Sequence, residues 1–253
     1  MPDPDAPAFL TSHPFAHRGL HDRMDRLENG LSAFAAARDA GQGMECDVRA
    51  SADGIAFVFH DATLERLTAA AGEFSARTAA ELDVVALKSG RETVPRLSAL
   101  LALVAGKTPL LIEIKSPDGS IYPICRAVAK DIAPYDGPVA IMSFNPMICR
   151  WFYQNAPAVV RGLVVTEEGK KGLRGRLERD LALRWARPHF LAYDIRDLPC
   201  PFPAAARRKG LPVLTWTVRS DAQRAVAAEH ADQVIHELPA LGGAGPAQAG
   251  ARG

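Results

Sequence analysis

Cysteine is scarce in this 253-residue chain, and Cys46, Cys125, Cys149 and Cys200 stand far apart with no Cys-x-x-Cys pair. That spacing argues against a disulfide framework and a thiolate zinc site, and it fits buried, reduced thiols. Long apolar runs are missing too. The longest, Leu97 to Ala105, contains Ser98 and falls far short of the roughly 20 residues that cross a bilayer. Net charge is close to nil: 30 Lys and Arg face 29 Asp and Glu, a field too weak to hold nucleic acid. Any charge that matters to function is therefore local. Met1 to Ser12 lacks the basic start and apolar stretch of a signal peptide. With the reduced thiols, this sets the expectation of a cytoplasmic protein, without stable membrane insertion and without a nucleic-acid partner.

What the chain does have is alternation. Short runs rich in β-branched and aromatic residues recur at Phe15 to Gly19, Met44 to Arg49, Ile55 to His60, Leu110 to Lys115, Val139 to Phe144, Val159 to Val165, Phe190 to Ile195 and Leu211 to Val218, with a weaker one at Gln233 to His236. Helical patterns lie between them, at Gly30 to Ala40, Ser98 to Val104, Ile121 to Ile132, Asn145 to Gln154 and Ala222 to His230. Strand and helix in alternation predict a parallel α/β architecture. With 48% apolar residues and this length, the expectation is one TIM-type (β/α)8 barrel over residues 1–241, followed by a disordered Gly- and Ala-rich tail at 242–253.

One connection breaks the alternation. Only five residues separate Arg49 from Ile55, whereas a parallel crossover needs a dozen or more, so the pair must form a hairpin. Asp53-Gly54 is the matching turn signal. The return strand then brings His60 back to the level of Glu45 and Asp47. Residues 62–94 carry weak periodicity and read as a small insertion on the functional face.

Glu45-Cys46-Asp47 places two carboxylates on one face of a strand, with the thiol on the other. Glu113 sits within the otherwise apolar Leu110 to Ile114 and shares a face with Lys115. Like charges about 4 Å apart repel by roughly 4 kcal/mol at an effective dielectric near 20, so three carboxylates meeting at a barrel mouth need compensation. An all-oxygen set favours a hard divalent cation, Mg²⁺ or Ca²⁺, over zinc. His17 and His60 each end a strand beside a charged residue, and imidazole suits both a base and an acid near neutral pH. Arg18 and Lys115 can hold a phosphate, by guanidinium fork and by point charge. Those two cations and the three acids sum to about −1, and a divalent ion raises this to about +1, which admits an anionic diester.

These segments, taken in order, resemble the glycerophosphodiester phosphodiesterase family. The matching residues are Ala16-His17-Arg18-Gly19, Glu28-Asn29, Glu45-Cys46-Asp47-Val48-Arg49, Asp53-Gly54, His60-Asp61-Ala62-Thr63-Leu64-Glu65-Arg66, Ile112-Glu113-Ile114-Lys115, Ser143-Phe144 and Trp216-Thr217-Val218. The resemblance implies a β/α barrel with a small insertion after the second histidine. It implies His17 and His60 as acid and base, Glu45, Asp47 and Glu113 as metal ligands, and Arg18 and Lys115 on phosphate. The implied reaction splits a small glycerophosphodiester into glycerol 3-phosphate and an alcohol, through attack by the neighbouring glycerol hydroxyl. Trp216 looks like the family's pocket-lining tryptophan, with ordinary core as the alternative. Asn29 either orients phosphate or a ligand, or caps the following helix.

Two departures stand out. Arg219 replaces the family's usual Asn after Trp-Thr-Val, and the last strand ends His236-Glu237-Leu238-Pro239 where Thr-Asp is usual. His236 is read as structural. Two other functions use the same residues: a lysophospholipase D or sphingomyelinase D-like activity on lipids, and a non-catalytic phosphodiester-binding protein. The short insertion without an apolar lid speaks against the first, and the paired imidazoles against the second.

Overall fold

The computed structural model describes residues 6–22, 25–115 and 119–237. The expectation of disorder at 242–253 lies outside them. Nine strands are present among the described residues: β1 (Phe15–His17), β2 (Gly43–Ala50), β3 (Ala56–Val58), β4 (Leu110–Ile114), β5 (Val139–Ser143), β6 (Val160–Val165), β7 (Phe190–Asp194), β8 (Val213–Val218) and β9 (Gln233–His236). The helices are α1 (Phe9–Ser12), α2 (Leu31–Asp39), α3 (Ala79–Leu82), α4 (Leu97–Val104), α5 (Tyr122–Ile132), α6 (Pro146–Asn155), α7 (Leu173–Ala186), α8 (Pro201–Arg208) and α9 (Asp221–His230).

All strands but β3 join in parallel, and β1 pairs with both β2 and β9, so the sheet closes on itself. The result is the TIM-type barrel that the alternation predicts, with the crossover helices outside. The weak Gln233 to His236 run is a full stave. Its four residues suffice because the neighbouring strands supply both ladders. β3 pairs antiparallel with β2, Val48 against Val58, as a hairpin arm. Its turn depends on Gly54, whose φ of 78° is a left-handed value that favours glycine.

Strand parity organises the interior. Phe15, Leu111, Ala140, Met142, Val164, Phe190, Ala192, Leu214 and Ile235 form one buried cluster, floored by Leu10 of α1. Space is tight there: a Cβ on Gly162 would come within 2.2 Å of the Phe190 ring, so glycine is what lets that ring fill the barrel. Outward-facing residues such as Met44, Cys46, Val48, Ile112, Ile114 and Ile141 pack under the helices. Three of the four free cysteines are buried, and burial raises the pKa of the Cys46 thiol.

Residues 62–94 pack on the hairpin arm. Phe59 stacks on Phe74 at 5.0 Å, and Leu64, Leu82, Leu87 and Val94 complete a separate buried cluster. Thr78 and Glu81 form a reciprocal capping box on α3. Four helices have no counterpart among the helical patterns read from the sequence: the one-turn α1 and α3, and the longer α7 and α8. In α7 the leucines are spaced by fours, as in a core-facing helix, but that stripe looks to solvent and seven Lys or Arg between Lys170 and Arg187 break up the apolar signal.

Candidate active site

Continuing the inward parity one step past the buried cluster leads to the C-terminal rim. His17 follows Phe15, Glu45 and Asp47 follow Gly43, Glu113 and Lys115 follow Leu111, Trp216 follows Leu214, and Glu237 follows Ile235. Glu45 and Asp47 are fully buried and Glu113 nearly so. One carboxylate oxygen from each lies within 4.8 Å of the others. The backbone at Arg18 and Asn29 is left-handed, with φ of 57° and 60°. That is rare for a residue with a Cβ, and here it aims both residues at the acids. The Arg18 amide donates to Glu45 Oε2 at 3.1 Å, and its guanidinium Nε lies 2.9 Å from Asp47 Oδ2. Asn29 donates through Nδ2 to Asp47 Oδ2 at 3.0 Å and accepts from the Asp47 amide. Asn29 therefore orients Asp47, and the N-cap of α2 is Gly30.

Lys115 Nζ lies 2.7 Å from Asp47 Oδ1 and also contacts Glu113 Oε1. Both cations expected on phosphate thus rest against the acids, and Arg18 additionally donates to Glu28 at 2.6 Å. The electrostatics follow from burial and neighbours. Burial raises the Glu45 pKa well above the usual carboxylate range, and Asp47 and Glu113 push it further. Burial also raises Glu113, against the pull of Lys115. At Asp47 burial is outweighed by Lys115 and Arg18, which hold its carboxyl far down. Glu45 Oε1 is buried without a hydrogen-bond partner among the described residues. Three converging acids and one unused buried oxygen fit a hard divalent cation, and Glu45, Asp47 and Glu113 would hold it.

The two histidines flank this cluster, and each is held the same way. His17 Nδ1 sits 2.7 Å from Glu237 Oε1, and Arg219 clasps that carboxylate with Nε and Nη2, each at 2.8 Å. His60 Nδ1 sits 2.7 Å from Asp61 Oδ1, and Arg66 clasps Asp61 while reaching Glu28 at 2.7 Å. His60 reaches the rim because the hairpin register returns the chain beside Asp47, whose carbonyl accepts from the Phe59 amide at 2.9 Å. A carboxylate on Nδ1 fixes the ring and leaves Nε2 for proton exchange. His17 Nε2 faces Glu45 Oε2 at 3.8 Å. Burial lowers the pKa of both imidazoles, opposed at His17 by the Glu237 hydrogen bond and at His60 by Asp47.

Trp216 is half-buried against the interior cluster, and its indole Nε1 donates to the Ala192 carbonyl at 2.9 Å. Its ring meets Phe144 edge-on at 5.4 Å. The sequence reading missed the parts played by Glu237, Arg219, Asp61 and Arg66. Glu237 had a signal: it falls on the inward parity of the last stave, two residues after Ile235. The two sequence departures, Arg219 and Glu237, turn out to be partners of one another. His236 points to the outer side, buried at 1% exposure, and burial lowers its pKa to about 4.

The mouth of this closed β/α barrel thus carries a buried acid cluster flanked by two carboxylate-held imidazoles. Residues 17–242 match the model of the glycerophosphoryl diester phosphodiesterase family, and the chain belongs to that family. A glycerophosphodiester phosphodiesterase of Caldanaerobacter subterraneus subsp. tengcongensis is 35% identical over 161 residues, covering 59% of this chain and 65% of that protein. A probable glycerophosphodiester phosphodiesterase 1 of Mycobacterium tuberculosis is 40% identical over 80 residues, 30% of this chain and 28% of that protein. The match thus spans less than two thirds of these curated relatives. Among solved structures, an Oleispira antarctica phosphodiesterase in complex with the product sn-glycerol-3-phosphate superposes with a TM-score of 0.80 at 23% identity, over 91% of this chain and 95% of that one. A putative glycerophosphoryl diester phosphodiesterase from Silicibacter pomeroyi superposes with a TM-score of 0.74 at 25% identity, over 89% of each chain.

Proposed function

We propose that this protein is a metal-dependent glycerophosphodiester phosphodiesterase that releases glycerol 3-phosphate and an alcohol from small diesters. The observation that carries the reading is the pair of imidazoles, each pinned through Nδ1 by a carboxylate and an arginine, on either side of the acid cluster. A binding protein has no use for two such oriented rings. When bound by Glu45, Asp47 and Glu113, a divalent cation supplies Lewis-acid stabilisation of charge on the phosphoryl oxygens.

The chain's own residues do the rest. One imidazole takes the proton of the attacking glycerol hydroxyl at its Nε2 while the other delivers a proton from Nε2 to the departing alkoxide, leaving a cyclic phosphate. With the two rings' roles reversed, a water then opens the cycle to glycerol 3-phosphate. Lowered pKa values favour the neutral ring that the base step requires. Glu237 and Asp61 stabilise whichever ring becomes charged. Arg18 and Lys115, each partly turned to the acids, lend positive charge to the diester. Trp216 and Phe144 form an apolar wall for the glycerol or the leaving group.

A preference for soluble diesters over acylated lipids is supported by the insertion, whose large apolar residues other than Val84 pack into their own cluster. The test is a panel assay of glycerophosphocholine, glycerophosphoethanolamine and lysophosphatidylcholine with Mg²⁺, Ca²⁺, Mn²⁺ or EDTA. Turnover of the first two with a divalent ion and none with EDTA is expected. A strong preference for the acylated compound establishes the lysophospholipase D reading instead, and no turnover of any diester by ion-loaded protein establishes the binding reading.

A further inference from the structure

The longest helix among the described residues, α7, has no partner on one face. Leu173, Leu177, Leu181 and Trp185 follow one another at intervals of four, so they share that face, and they are 86%, 60%, 47% and 54% exposed. Isolated exposed leucines are ordinary, but four large apolar side chains in register along a 14-residue helix form a continuous stripe.

The charge around the stripe is equally uneven. From Lys170 to Arg187 the sequence holds seven Lys or Arg and only two acids, Glu178 and Asp180, in a chain that is otherwise balanced. Glu178 is already taken by Lys170 and Arg174. Arg176 and Arg184 are exposed, and so is Lys171, whose charge acts on Glu167. Trp185 lies beside the Arg150 guanidinium, 5.9 Å from its ring centre. An exposed apolar stripe carrying a tryptophan, with Arg174 and Arg184 set among its leucines, offers a lipid surface both apolar side chains and cations on one face.

We infer that α7 is a docking surface for an anionic lipid bilayer, against which the barrel lies reversibly along one side. Charge complementarity selects this occupant. A second copy of the chain meeting the same stripe would set these cations against their own kind. The phosphates of nucleic acid would pair the cations but leave Leu173, Leu177 and Leu181 in water. Anionic headgroups pair the arginines while the acyl boundary takes the leucines and the indole.

The placement has a consequence for the mouth. α7 begins at the end of the barrel where β6 delivers its chain, so its most exposed residue, Leu173, marks the rim. Tyr122, Phe144 and Met147, exposed to 61%, 44% and 46%, begin or precede the helices of the two preceding β/α units, β4/α5 and β5/α6, at that same end. A docked bilayer thus touches the edge of the mouth without covering it. No helix among the described residues is long and apolar enough to cross the bilayer, which fits surface attachment.

Vesicle sedimentation of the full chain tests this with two compositions: phosphatidylcholine alone, and equal parts phosphatidylcholine and phosphatidylglycerol. Binding to the mixed vesicles, weakened by added salt, is expected, with little binding to the neutral ones. Arg176→Ser with Arg184→Ser should weaken it on the order of 10- to 30-fold. Leu177→Glu with Leu181→Glu should abolish it while circular dichroism and diester turnover remain those of the wild type. Both leucines are already exposed, so folding is not at stake. No binding to mixed vesicles, or binding indifferent to both double variants, overturns the inference. So does a concentration-dependent dimer that Leu177→Glu with Leu181→Glu dissolves, since the stripe would then serve a second copy.

Discussion

Replacing Glu45 with Gln should make the ion-free protein more stable and the ion-loaded protein less responsive. Glu45, Asp47 and Glu113 present carboxylate oxygens within 4.8 Å of one another, inside the barrel. At an effective dielectric near 20, two unit charges at that separation repel by about 3.5 kcal/mol, and Glu45 takes part in two such pairs. Lys115 and Arg18 offset part of this, and the raised pKa of Glu45 lets a proton relieve more of it. A residual strain of about 1–3 kcal/mol near pH 8 remains for Glu45→Gln to remove, or about 2–10 °C in melting temperature for a domain of this size. The wild type should gain about 2.7 kcal/mol from an ion at one hundred times its dissociation constant, a rise of about 5–10 °C. The variant should lose most of that rise. Melting curves by circular dichroism, with EDTA and then with Mg²⁺, Ca²⁺ or Mn²⁺, read both effects. An ion-free variant that melts at or below wild type, beside a wild type indifferent to all three ions, would refute the metal-site reasoning.

Other outcomes follow from the same geometry. His17→Ala and His60→Ala should each lower kcat on the order of 10²- to 10⁴-fold while leaving the ion-induced rise in melting temperature in place, since neither ring is among the three acids. Glu237→Gln should lower kcat by about tenfold or more with little change in KM, because it orients His17 and not the diester; an unchanged kcat would remove it from the site. For His236, burial holds the folded pKa near 4 against an ordinary 6.5, so between these values the unfolded chain binds a proton that the folded one refuses. Its contribution is therefore level above pH 6.5 and turns against folding as pH falls, by about 2 kcal/mol between pH 7.5 and pH 5. Urea unfolding of wild type and His236→Gln at both pH values checks this, and an equal pH dependence of the two would contradict it.

Much of this site was legible in the chain itself. Period-two spacing puts Glu45 with Asp47 and Glu113 with Lys115 on shared faces, because a strand's side chains alternate whatever the sheet around it. A connection too short for a parallel crossover makes Ile55 to His60 a hairpin arm, which by itself brings His60 back beside Asp47. Local rules of this kind need no knowledge of distant contacts, and so the barrel and the main constellation could be read in advance. Other features depend on residues far apart in sequence. Glu237 meets His17 across 220 positions only because β9 closes the barrel against β1. Asn29 is a good helix cap by type, yet its left-handed backbone turns it to Asp47. Arg18 and Lys115 read as phosphate ligands, and closure sets them against the acids. The leucines of α7 have the spacing of a buried seam, and only the absence of anything packed over them leaves that seam in solvent. Sequence thus determined which side chains share a face, since that follows from backbone period, while closure of the barrel decided which faces meet and which stay open.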